Sequence, residues 1–76
     1  MHRVDLARKA DEVLADLDDR ARAHVLALID SVAEEPDDWP TAGTWELAEE
    51  FTDRAWIMYI AHADGIEVLD IGWLAP

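Results

Sequence analysis

Glu46, Glu50, Tyr59 and Asp70 fall in segments that alternate with the period of β-strands. Brought to one face of a sheet, these three carboxylates and one phenol could do several kinds of chemistry. Two neighbouring carboxylates could share acid–base work, or their oxygens could hold a hard cation. Spaced anions could also bind a basic protein surface, or simply form a solvated sheet face. No nucleophile and no set of oxyanion donors accompanies them, so the acidic sheet set is taken as a binding set and no catalytic residue is assigned. No metal or other cofactor is expected. The histidines His2, His24 and His62 show no ligand spacing, and His62 is placed to pair with Glu67 across a hairpin.

A second, weaker acidic set lies earlier in the chain. Asp11, Asp16, Asp18 and Asp19 follow the first helix and its exit, and Glu34, Glu35, Asp37 and Asp38 crowd around Pro36. Such a run can imitate consecutive phosphates or can be a solvated loop. Trp39, next to it, is either an exposed binding anchor or a lid over the helix ends.

These residues belong to a chain with 18 Asp and Glu against 6 Lys and Arg, a net charge of −12 on 76 residues. That charge disfavours direct contact with nucleic acid or an anionic membrane and favours basic protein partners. The absence of cysteine excludes disulfides, thiolate metal sites and a cysteine nucleophile. The start lacks an apolar signal region, and no apolar run reaches membrane-spanning length. The expected location is the cytoplasm of a bacterium, or of the host cell if the chain is phage-encoded. Half the residues are apolar and four are Trp, enough for one packed domain over residues 1–76.

The elements that must position the acidic sets follow from period and punctuation. His2-Arg3-Val4 can form a short edge strand. Apolar residues three and four apart predict a helix over 5–17 with Asp5 as its cap, and a second over 19–35 capped by Asp18 and stopped by Pro36. So short a break makes the two helices an antiparallel hairpin. A connector spans 36–44, and three antiparallel strands fill 45–74. Asp64-Gly65 is expected to form the last turn, with Thr52-Asp53 the one before. This registry places Trp45, Leu47, Trp56, Met58, Ile60, Leu69, Ile71 and Trp73 under the helices. It leaves Glu46, Glu50, Tyr59 and Asp70 on the open face, among Ala48, Ile57, Ala61 and Val68. The fold class is α+β: a helical hairpin packed on a small three-stranded antiparallel sheet.

That order of elements resembles the RelE/ParE toxin superfamily. The residues carrying the resemblance are Val4 to Leu17, the end of the second helix at Pro36, and two late segments. Arg54-Ala-Trp-Ile-Met-Tyr59 is similar to the family's strand of the form Tyr-Arg-apolar-apolar-Tyr. Asp64-Gly-Ile-Glu-Val-Leu-Asp-Ile-Gly-Trp73 is similar to its closing Val-Leu-x-Ile-Gly-His-Arg strand. The resemblance implies a sheet that presents cationic groups to RNA. Here the strand arginine falls at Trp56 and the closing His-Arg at Trp73-Leu74, while Arg54 is the one Lys or Arg after Arg22. RNA cleavage by that mechanism is therefore not expected.

The reading that follows is a small acidic inhibitor or adaptor on a degenerate RelE/ParE-like fold. It would act as a DNA mimic of the anti-restriction or anti-CRISPR type and block a nucleic-acid-binding enzyme. The alternative is the toxin of a type II toxin–antitoxin pair, a gyrase poison or an atypical ribosome-dependent mRNA endonuclease, with a cognate antitoxin as partner. A regulatory module with one protein partner is the third.

Overall fold

Aspartate, proline and one arginine set the helical boundaries. The computed structural model describes residues 2–74, which run β1 (Arg3–Leu6), α1 (Arg8–Asp16), α2 (Asp19–Ala33), a 3-10 turn (Pro36–Asp38), β2 (Ala48–Phe51), β3 (Ala55–His62) and β4 (Gly65–Trp73). Asp18 caps α2 as expected, its Oδ1 accepting from the Ala21 amide at 2.8 Å. Arg22 then closes the hairpin. Its guanidinium donates to the carbonyls of Leu14, Ala15 and Leu17 and to the Asp19 carboxylate. The end of α1 leaves the Ala15 and Leu17 carbonyls without backbone partners, whereas that of Leu14 also accepts from the Leu17 amide at 3.3 Å.

The first helix begins later than its apolar period suggests. Asp5 lies in β1 and is not the cap; the N-cap position is Ala7, without a side-chain hydrogen bond. Sheet pairing takes priority here, because Val4 and Leu6 pack against the core and the Ala7 amide donates to the Val68 carbonyl at 2.8 Å. The N-terminal edge strand thus exists. It pairs parallel with β4, which makes a four-stranded mixed sheet of order β1-β4-β3-β2 where a three-stranded antiparallel one was the main expectation.

Both hairpin turns sit one residue earlier or later than their sequence signals. In the β3–β4 hairpin His62 pairs with Gly65, so Ala63 and Asp64 make the turn. Gly65 is instead the point where β1 crosses closest: a Cβ there would lie 1.8 Å from the Arg3 carbonyl oxygen. In the β2–β3 hairpin Phe51 pairs with Trp56, and Thr52 Oγ1 accepts from the amides of Arg54 and Ala55.

The larger correction is which face the helices cover. Ala55, Ile57, Tyr59, Ile66, Val68 and Ile71 form one cluster with Ala10, Leu14, Val25, Leu28, Ile29 and Val32. Met58, Ile60 and Trp56 therefore lie on the other face, opposite to expectation, and Trp45 and Leu47 are 84% and 55% exposed. Ile71 and Trp73 do reach the core, because β4 carries a bulge. Pairing steps from Tyr59↔Val68 to Met58↔Asp70, which leaves Leu69 as an extra residue and reverses the phase of the strand beyond it. Helices approach the sheet where its side chains are small or β-branched. The bulky Trp56 lies on the far side over Gly72, where a Cβ would meet the indole at 2.0 Å. Among the described residues no helix is long and apolar enough to cross a membrane.

Candidate functional site

The end of α2, the turn after it and the β2 edge of the sheet enclose a cavity of about 260 Å³. Helical spacing explains one wall: Leu28, Ser31 and Val32 lie on one stripe of α2. Pro36 stops that helix and opens the 3-10 turn, which brings Glu35 and Asp38 to the rim. Trp39 folds back as the lid that was one of its two expected roles. Its indole Nε1 donates to the Val32 carbonyl at 2.7 Å, and His2 meets its ring edge-on at 5.2 Å. Glu50, Phe51 and Thr52 complete the sheet side. His24 fixes that side to α2, its Nε2 lying 2.9 Å from Thr52 Oγ1.

Tyr59 forms the floor. It is only 2% exposed, yet its hydroxyl has no hydrogen-bond partner among the described residues. Burial pushes the phenol pKa upward, and the negative charges of Glu50 and Asp38 add to that effect. The group is therefore neutral at ordinary pH, able both to donate and to accept. No Lys or Arg lines the cavity, and Glu35, Asp38 and Glu50 form no ion pair among the described residues.

The cavity joins parts of the two acidic sets and disperses the rest. Glu50 and Tyr59 remain on one face, but that face is the one the helices cover. Glu46 lies outside the strands in the exposed connector, where its amide meets Thr44 Oγ1. Asp70 is carried away by the bulge and pairs with Lys9 Nζ at 3.1 Å. The four-residue acidic sheet face is accordingly not formed. Of the helix and connector set, Glu35, Asp38 and Trp39 line the cavity, whereas Asp11, Asp16, Glu34 and Asp37 point to solvent. Asp18 and Asp19 serve the hairpin itself. His62 and Glu67 pair at 3.4 Å as anticipated. The apolar stripe of α2, including Leu28 and Val32, was read only as the helix's core face; that it lines a cavity with Ser31 and Phe51 was missed.

The other face of the sheet is apolar where carboxylates were expected. Trp56, Met58 and Leu69 are half-buried there, Ile60 is buried and Phe51 is 63% exposed. Trp56, at the position that the resemblance gives to an arginine, packs over Gly72.

No protein-family model and no curated protein matches this sequence. In three dimensions the chain is similar to a chain of the intact E. coli RelBE toxin–antitoxin complex, with a TM-score of 0.74, 13% identity and 100% of both chains covered. The likeness runs the whole length, so the helical hairpin on one face of a β1-β4-β3-β2 sheet is a RelE-like fold.

Proposed function

We propose that the protein is the toxin component of a type II toxin–antitoxin pair that acts on a protein target, as a gyrase poison does, and not on RNA. The observation that carries this reading is the full-length likeness to a chain of a toxin–antitoxin complex. Nuclease chemistry is set aside for a physical reason. Holding a scissile phosphate requires preorganised cations, and the corresponding strand positions carry Trp56 and Trp73. The partner suited to this surface is an antitoxin with complementary basic residues laid on the protein as a helix or strand. The uncovered apolar sheet face, with Phe51 exposed, favours a protein partner in the same way.

One observation favours a second reading. A net charge of −12 also suits an inhibitor that occupies the basic nucleic-acid groove of an enzyme. Tightly controlled expression in the native host separates the two. Growth arrest relieved by co-expressing the neighbouring gene supports the toxin. Unimpaired growth, with capture of a nucleic-acid-processing enzyme that salt or DNA displaces, replaces it with the inhibitor.

A further inference from the structure

The cavity beneath Trp39 has an uncommon combination of walls. Three carboxylates without ion-pair partners among the described residues, Glu35, Asp38 and Glu50, line a space together with the Trp39 indole and with Tyr59, a side chain only 2% exposed whose hydroxyl reaches the cavity and has no partner among the described residues. Like charges facing one cavity repel one another, and the Tyr59 hydroxyl, open only toward that cavity, is free to bond whatever enters it. One ligand would engage both. It must be cationic, to answer the carboxylates, and it must donate hydrogen bonds, to satisfy the phenol oxygen.

Size and geometry narrow the class. Among the described residues no three His, Asp or Glu side chains converge closely enough to hold a metal ion. A bare cation needs such convergence, with several oxygens at 2.0–2.6 Å for magnesium or calcium, roughly. The space of about 260 Å³ is smaller than the roughly 300 Å³ at which drug-sized ligands begin. It is ample for one long side chain. Leu28, Val32 and the Trp39 ring offer apolar surface to an alkyl stem, and the aromatic rings attract a cation lying against them.

We infer that this cavity receives a single organic cation, an alkyl guanidinium or alkyl ammonium group of the arginine or lysine side-chain type. The head group lies among Glu50, Asp38 and Glu35 and donates to the Tyr59 oxygen; the stem lies under Trp39. The inference rests on the proposed protein partner only for the source of the cation, a basic side chain of that partner. The cavity's selectivity stands on its own geometry.

The test is an amide and indole NMR titration of the intact protein with N-acetyl-arginine amide, agmatine and the neutral isostere N-acetyl-citrulline amide. The expected result is saturable shifts of the Trp39 indole N–H and the Tyr59 amide with both cations and none with citrulline. Joint Glu50→Gln and Asp38→Asn substitution should weaken binding by about tenfold, since charge-assisted bonds are lost. Tyr59→Phe should weaken it by about threefold. A control pair with the same charge change, Asp11→Asn with Asp16→Asn, should leave it within about twofold, because those exposed groups are screened from the cavity. Tighter binding of the arginine amide than of agmatine assigns the cation to a protein side chain; the reverse assigns it to a free amine. Equal shifts with citrulline, equal loss in the control pair, or no saturable shift at the highest soluble concentration would each overturn the inference. Growth-arrest results do not bear on this titration, so failure of the toxin reading and failure of the cation site remain distinct.

Discussion

One sheet presents two apolar faces, and the helices cover only one. Under the helices, Ile57, Val68 and Ile71 are between 0% and 4% exposed. Across the sheet, Trp56 and Met58 are half-buried and Phe51 is 63% exposed. Apolar content does not separate these faces; shape does. Short and β-branched side chains let α1 and α2 approach the strands at native packing density. On the far side the bulky Trp56 lies over Gly72. That half-exposed apolar face, framed by Glu49 and Glu67, supports the proposed protein partner.

The sharpest way to break that contrast is to truncate one residue on each side. Ile57→Ala should destabilise the protein by about 2–5 kcal/mol, the usual range for a buried isoleucine, in urea unfolding. Its neighbour Met58→Ala should cost about 1 kcal/mol or less, because the site is open to solvent on one side. Equal losses would mean that both faces are packed alike. Next in size, Gly65→Ala should cost about 1–3 kcal/mol by forcing a Cβ against the Arg3 carbonyl. Amide exchange should then accelerate at Val4 and Leu6 while the β3–β4 ladder stays protected; uniform acceleration would contradict a local detachment of β1.

The covered face also has a pH signature. Burial and neighbouring carboxylates raise the Tyr59 pKa above its ordinary 10.0, so the native state holds that proton more tightly than the unfolded chain. The corresponding stability is complete below pH 10.0 and is lost as pH rises from there through the raised folded pKa. Tyr59→Phe should remove this alkaline decline, and an unchanged slope would assign it to other groups. The smallest effect belongs to the exposed residues: Trp45→Ala should shift stability by no more than about 0.5 kcal/mol. A larger loss would show that the connector is packed on the sheet.

Much of this arrangement was legible in the residues. The α+β order, the Asp18 cap and the His62–Glu67 pair followed from local rules that tertiary structure did not override. The covered face was not legible, for two reasons tied to particular residues. Asp64-Gly65 signals a turn, but Gly65 is needed where β1 passes, a contact between the two ends of the chain that no local pattern announces. Leu69 inserts a bulge, and one extra residue reverses every later side chain of β4. The same bulge separated Asp70 from Glu50 and Tyr59. The cavity was half legible: its carboxylates, Tyr59 and Trp39 were all singled out, yet in two separate groups, since only the fold-back of Trp39 onto Val32 unites them.

The parallel pairing of β1 with β4 has a consequence for how the molecule is held together. β1 and the helical hairpin come from one half of the chain, whereas every strand that β1 joins comes from the other. The halves are linked covalently through an exposed connector, residues 41–47, yet they are also interlocked by the β1–β4 ladder and the shared core. During synthesis β1 has no partner until β4 has been made, so the sheet closes late. Conversely, a protease that cut the connector would sever the polypeptide without releasing either piece, and the two halves would behave as complementary fragments of one fold.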